Sequence, residues 1–239
     1  MNIHIIQHEI FEASGAYLDW AVQKQHNVTF SRVFENEPLP DSVARIDMLI
    51  IMGGPQSPYT TIRECPHFDA PAEMDLIRKC IDAQKRVIGV CLGAQLIGSA
   101  LGAPHERSPE KEIGNFPILL TQEGRADKKL AHFTSPIVVG HWHGDMPGLT
   151  ETAAILAYST GCPRQIVAYS PNVYAFQCHM ELTREVVGLL IGSEAGLDEM
   201  GGKHRFVQSA EELMSYDYSA MNQALFAFLD QFTAQIGAE

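Results

Sequence analysis

The sequence predicts an α/β fold in which a mainly parallel sheet is covered by helices on both faces, with a smaller antiparallel segment behind it. Three observations carry this. Over the first hundred residues, short apolar runs alternate with stretches whose apolar residues recur at helical spacing. Such alternation buries both faces of a parallel sheet. From Phe116 onward the pattern changes to short strand-like runs separated by turn residues, which suits antiparallel pairing. No internal repeat, low-complexity tract or linker interrupts the 239 residues, so one domain is expected over 1–239.

Taken in order, Ile3 to Gln7 reads as a strand, and Gly15 to Gln25 as a helix with Leu18, Ala21 and Val22 on one side. Val28 to Phe34 and Arg45 to Met52 are the next strands, parted by the turn-rich Glu37-Pro38-Leu39-Pro40-Asp41. Asp69 to Gln84 is a helix on the spacing of Met74, Ile77, Cys80 and Ile81. Val87 to Val90 is a fourth strand, and Leu92 to Leu101 the helix that follows it. In the second half, Phe116 to Thr121, Ile137 to Gly140, Ala153 to Tyr158, Gln165 to Tyr169 and Tyr174 to Cys178 are expected strands. A helix is expected from Thr183, its N-cap, to Ile191. Gly192 to Tyr216 reads as loop, and Ala220 to Ile236 as a closing helix whose Phe226, Leu229 and Phe232 face the core.

Composition narrows the function classes. With 46% hydrophobic and 19% charged residues, the chain has the make-up of a globular protein. A net charge of −12 without a concentrated basic patch argues against nucleic-acid binding. The first residues lack the basic and long apolar regions of a secretory signal, and no apolar run reaches bilayer length. The five cysteines are an odd number without metal-type pairing, and read as reduced thiols of a cytoplasmic protein.

The chemistry is concentrated in two distant segments. Val87-Ile88-Gly89-Val90-Cys91-Leu92-Gly93-Ala94-Gln95 runs from strand to helix through one cysteine flanked by small residues, the setting of a nucleophile on a tight turn. A helix N-terminus there favours a thiolate, and the Leu92 N–H would face the oxygen of an attacked carbonyl. Phe176-Gln177-Cys178-His179-Met180-Glu181 places a base and an acid two residues apart, on one face of an extended segment. Cys91, His179 and Glu181 together make a candidate Cys-His-Glu triad. Cys178 and Met180 should point away and pack. Met52-Gly53-Gly54-Pro55 follows the third strand, beside the elbow in a parallel sheet, so a Gly54 N–H could complete an oxyanion hole.

In Gly-Val-Cys-Leu-Gly-Ala-Gln, the upstream Met-Gly-Gly-Pro and the late His-x-Glu, the chain resembles the class I (triad-type) glutamine amidotransferases, and most closely their free-standing, GMP-synthase-like glutaminase domains. The resemblance runs from Met1 to about Ile191, and Lys111-Glu112-Ile113-Gly114 also looks like a family segment. It implies a flavodoxin-like three-layer sandwich that releases ammonia from glutamine through a γ-glutamyl thioester. By position it implies Cys91 as nucleophile, His179 as base, Glu181 as its partner, Gly54 and Leu92 as oxyanion donors, and Gln95 as a glutamine contact. His141-Trp142-His143-Gly144-Asp145 is similar to the family's glutamine-contacting turn, which implies Trp142 and His143 as substrate contacts. Two residues depart from the pattern. Trp142 stands where a small polar residue is usual, which touches substrate identity, and Met180 replaces a common proline.

These features give one principal expectation, hydrolysis of the side-chain amide of glutamine or a related γ-glutamyl amide, with ammonia passed to a separate synthetase subunit. A stand-alone γ-glutamyl peptidase or hydrolase is the alternative within enzymes, and a non-catalytic partner-binding subunit the alternative outside them. No cofactor and no metal are expected. His141 and His143 with Asp145 form a conceivable metal set, but no cysteine pair or His-Glu-x-x-His helix supports it. Gly201-Gly202-Lys203 lacks the earlier glycine and the strand of a phosphate loop.

Overall fold

The computed structural model describes residues 1–234, apart from the side chain of Asp198. Its first half runs β1 (Asn2–Gln7), α1 (Gly15–Gln23), β2 (Asn27–Arg32), β3 (Met48–Ile51), α2 (Ala70–Asp82), β4 (Arg86–Val90) and α3 (Leu92–Ala100). Then follow β5 (Glu106–Leu120), α4 (Gln122–Ala126), β6 (Ile137–Met146), β7 (Ala154–Tyr158), β8 (Ile166–Ser170), β9 (Val173–Phe176) and α5 (Arg184–Ser193). The chain closes with α6 (Leu197–Gly201), β10 (Phe206–Val207), α7 (Ala210–Ser215) and α8 (Ser219–Thr233).

Strands β2, β1, β3, β4 and β9 pair in that order, all parallel. This is the 2-1-3-4-5 order of a flavodoxin-like sheet, with β9 in fifth place. Beyond β9 the sheet continues antiparallel through β8, β7 and β5, and β6 pairs antiparallel with β5. Each face has its own apolar core. One gathers Trp20 of α1 with Phe228, Leu229 and Phe232 of α8. The other gathers Leu76, Ile77 and Cys80 of α2 with Leu96 and Ile97 of α3. The central strands β3 and β4 feed both cores, which is why their sequences, MLII and RVIGV, are almost continuously apolar.

The expected fold class is therefore the observed one, and the differences are local. Strand β2 stops at Arg32 because Val33–Glu35 tightens into a single 3₁₀ turn, closed by Asn36 with φ +61°. Strand β3 begins at Met48 rather than Arg45, where its pairing with β1 begins. Strand β5 starts at Glu106, well before Phe116, because its charged N-terminal part pairs along β6 (Glu106 with Met146, Arg107 with Asp145). Strand β6 likewise runs on to Met146, so His141 to Asp145 is a strand and not a turn. Strand β9 ends at Phe176, before Cys178. His179 then keeps a single bridge to Gly140, with amide–carbonyl bonds of 2.7 and 3.1 Å.

Thr183 caps α5 as expected, its side chain accepting from the Val186 N–H. The stretch 192–216 is not loop: it holds α6, β10 and α7, the last started by a reciprocal Ser209/Glu212 capping box. On α8, Phe228 rather than Phe226 joins Leu229 and Phe232 in full burial. Gln235 and Ile236, expected to extend that helix, lie outside the described residues. Among the described residues no helix is long and apolar enough to cross a membrane.

Candidate active site

The site lies at the C-terminal ends of the parallel strands, where ligands collect in doubly wound sheets. Cys91 follows the last residue of β4 and caps α3 with φ +49° and ψ −105°. For a non-glycine residue this backbone state costs about 1–3 kcal/mol. The surroundings hold it there. The Cys91 N–H donates to the Phe176 carbonyl at 2.8 Å, which ties the elbow to the end of β9. Gly93 lets the first turn of α3 lie against β3, because a Cβ there would collide with the Ile51 carbonyl oxygen. The resting Cys91 thiol, only 6% exposed, points at the Trp142 carbonyl at 3.7 Å.

His179 and Glu181 are both buried, with His179 Nδ1 2.6 Å from Glu181 Oε1. Burial opposes a charged imidazole, yet the Glu181 carboxylate and the Cys91 sulfur outweigh it and hold the His179 pKa well above its ordinary value. Its Nε2 is buried and makes no hydrogen bond of its own, which leaves that nitrogen free for exchange with Cys91. Cys178 and Met180, the residues on either side, are fully buried as packing.

A cleft of about 300 Å³ opens over Cys91, lined among others by Glu12, Gly54, Gln95, Lys111, Trp142 and His143. That volume is at the lower end for small-molecule sites. All the expected contact residues except Leu92 thus line one cavity; Leu92 is fully buried as the first residue of α3, where a helix amide has no intrahelical partner. Gln95 is held by Gln177, its amide nitrogen 3.3 Å from the Gln177 oxygen. Trp142 closes one wall by donating its indole N–H to Glu194 Oε2 of α5's C-cap at 2.9 Å.

Several site residues escape a reading of the sequence alone. Glu12 lies in the loop after β1, its carboxyl packed against Gly53 and close to the His179 ring. Burial raises its pKa, and Glu181 adds to the rise while His179 opposes it. Lys111 lines the cleft with its ammonium 3.2 Å from the Met200 sulfur. Glu194 and Asp145 complete the charged lining. The available signal is topological: β3 lies beside the elbow strand β4 and β1 beside β3, so the loops at their C-terminal ends, 8–14 after β1 among them, run along the site.

Among the described residues, two groups place potential metal donors together. Glu112, His141 and His143 are buried within reach of one another, with Glu112 Oε2 3.6 Å from His141 Nδ1 and 3.4 Å from His143 Nε2. Asp145 instead pairs with Arg107 at 3.2 Å, so the set conceived from sequence does not assemble. The Glu112 oxygens are already bonded by Ser159 at 2.8 and 2.9 Å and by Gln165 at 2.7 Å. Burial holds His141 down to about 4, so it is neutral, while His141 Nδ1, His143 Nδ1 and Gln165 Oε1 make no hydrogen bond in this cluster, which reaches the cleft through His143. The second group is Glu9, Cys65 and His67, half-buried. Its carboxylate is bonded by His67 at 3.0 Å and Gln56 at 2.7 Å. The thiol lies 3.4 and 3.8 Å from the two His67 nitrogens, between them and off the lone-pair direction of either.

Comparison with known proteins bears on the family. Residues 18–191 match the family model described as glutamine amidotransferase class-I. The chain is 52% identical over 234 residues to the glutamine amidotransferase-like protein YfeJ of Salmonella typhimurium, covering 98% of each. It is 31% identical over 143 residues to a GMP synthase [glutamine-hydrolyzing] of Dehalococcoides mccartyi, a match that spans 59% of this chain and 25% of that enzyme. It is 29% identical over 117 residues to gamma-glutamyl peptidase 4 of Arabidopsis thaliana, 47% of each chain. In fold it is similar to a glutamine amido transferase from Methylobacillus flagellatus, with a TM-score of 0.87 at 24% identity over 97% of this chain and 93% of that one. A thiol on a strained elbow, a buried His–Glu pair beside it and a match over most of the length lead to one conclusion: the chain belongs to the class I glutamine amidotransferase family.

Proposed function

We propose that the chain, as a single domain over 1–239, hydrolyses the side-chain amide of glutamine or a related γ-glutamyl amide through a Cys91 thioester. The observation that carries this is the buried His179–Glu181 pair, with Nε2 free, beside a thiol on a strained elbow. His179 takes the Cys91 proton while Glu181 stabilises the imidazolium. The sulfur attacks the amide carbon, and the oxygen's charge is met by the Gly54 and Leu92 amides. Collapse breaks the C–N bond as His179 Nε2 returns its proton to the leaving nitrogen, releasing ammonia or an amine. The same nitrogen then deprotonates water, which hydrolyses the thioester to the γ-carboxylate and restores the thiol.

Gln95, Trp142 and His143 are the proposed substrate contacts, with Lys111 available to an α-carboxylate and Glu12, Asp145 or Glu194 to an α-ammonium group. The GMP synthase relatives support a separate synthetase as receiver of ammonia. The Trp142–Glu194 wall and the peptidase relative favour a second reading, stand-alone cleavage of γ-glutamyl peptides. Free cysteines throughout support a reducing, cytoplasmic setting. The test is labelling with a glutamine analogue that carries an electrophilic ketone, followed by peptide mass mapping. One adduct on Cys91 alone among the five thiols is expected. Labelling of Cys65 instead, or none, rejects the reading.

A further inference from the structure

The loop after β1 carries a buried imidazole that the chemistry above does not use. His8 is fully buried, with Nδ1 2.9 Å from the Gly53 carbonyl oxygen and Nε2 2.8 Å from Glu73 Oε2. Glu73 is also fully buried, in the first turn of α2, and the Phe68 ring packs edge-on against the imidazole with centroids 5.5 Å apart. Both His8 nitrogens therefore face acceptors, and both donate when the ring is charged. Burial opposes that charge, but Glu73 and the Gly53 carbonyl overcome it and raise the His8 pKa. A charged pair sealed in an apolar interior is costly unless its geometry is tightly held, so the expense calls for a purpose.

The peptide plane supplies one. The Gly53–Gly54 bond is trans, so the Gly53 carbonyl and the Gly54 N–H point in opposite directions from one rigid plane. His8 grips the carbonyl on the interior side, and Gly54 borders the cleft over Cys91. With glycine at both positions, the chain there has wide backbone freedom, and an external clamp must select one orientation. We propose that His8, anchored by Glu73, is a positioning residue that fixes the Gly53–Gly54 peptide with the Gly54 N–H aimed into the cleft. The inference rests on the proposed role of that amide as an oxyanion donor. It makes α2, which contributes no side chain to the cleft lining, a brace for the oxyanion loop.

The test compares His8→Ala with the double variant His8→Asn/Glu73→Gln, in which the Asn Nδ2 takes the place of Nδ1 and no charge is left unpaired. Turnover of the amide substrate is measured beside alkylation of Cys91 by iodoacetamide, a displacement at carbon that forms no oxyanion. Losing an aimed oxyanion donor costs about 100-fold or more in kcat. The expected result for His8→Ala is a fall of roughly 30- to 100-fold in kcat with KM and alkylation rate little changed. The double variant should recover most of it. Normal kcat in His8→Ala, or alkylation falling in step with turnover in both variants, overturns the proposal. If the wild-type protein cleaves no amide, the proposed function fails on its own, and the Gly54 amide resonance carries the test. It should move in His8→Ala and return in the double variant, and an unmoved resonance rejects the clamp.

Discussion

Replacing Glu181 by Gln keeps the shape of the side chain and removes its charge, which isolates what the carboxylate does for His179. The two are 2.6 Å apart and both are buried, so water screens the pair weakly. At an effective dielectric of about 20, unit charges about 4 Å apart attract by about 4 kcal/mol. Removing one partner of a buried pair typically costs about 3–5 kcal/mol. The imidazolium forms when Cys91 gives up its proton, so this loss falls on the barrier to attack. With about 1.4 kcal/mol per factor of ten, Glu181→Gln should lower kcat/KM by roughly 100- to 3,000-fold. The assay is ammonia release coupled to a dehydrogenase, run beside the alkylation rate of Cys91 at neutral pH, which should fall with it. The sign also appears in stability. Because the folded His179 pKa is raised, its contribution is full below the ordinary value of 6.5 and lost as pH rises through the raised value. The stability gap between wild type and Glu181→Gln should therefore narrow in alkali. A variant within threefold of wild type in both rates would refute the reasoning.

Further expectations follow from other parts of the molecule. Gly93→Ala forces a Cβ into the Ile51 carbonyl oxygen, and should lower stability by about 2–3 kcal/mol in urea unfolding; an unchanged midpoint contradicts the close approach. His4 and His141 are each pushed down to about 4 by burial, so they stay neutral in the fold while the unfolded chain takes up protons first. Stability from both is present above the unfolded value of 6.5 and lost as pH falls, roughly 2 kcal/mol each by about pH 5. Urea midpoints that stay flat over that range would exclude it. Trp142→Phe removes the indole bond to Glu194 and should raise KM about tenfold with kcat little changed, since hydrogen bonds to charged groups are worth about 1.5–3 kcal/mol. A fall in kcat instead would place Trp142 in the chemical step.

What the sequence reveals follows the range of the interactions involved. The elbow at Cys91 is legible because strand, thiol, small residues and helix are contiguous, and the structure puts Cys91 at that junction. Its order relative to His179 and Glu181 is legible because a parallel sheet brings strand ends together. His8, Glu12 and Glu73 carry no local pattern: they matter because β1 lies beside β3 and β3 beside β4, and α2 folds back over that edge. The front of β5 is hidden for another reason. Its residues Glu106 to Glu112 alternate charge rather than apolarity, since pairing with β6 and a buried hydrogen-bonded Glu112 replace an apolar face. The short helices α6 and α7 are hidden by their length, too brief to show a period. Trp142 is visible as a departure from the family pattern, yet its bond to Glu194 needs α5 in place.

The most direct test of the central claim is a mass-resolved product assay of the purified protein with glutamine and with a panel of γ-glutamyl dipeptides, with Cys91→Ala as the control. The account predicts γ-carboxylate product from at least one of these amides, and its complete loss in Cys91→Ala while that variant keeps the wild-type unfolding midpoint. Ammonia from glutamine identifies the glutaminase reading, and cleavage of dipeptides alone the stand-alone hydrolase. Silence on every amide, or undiminished product from Cys91→Ala, contradicts a Cys91 thioester as the working chemistry of this cleft.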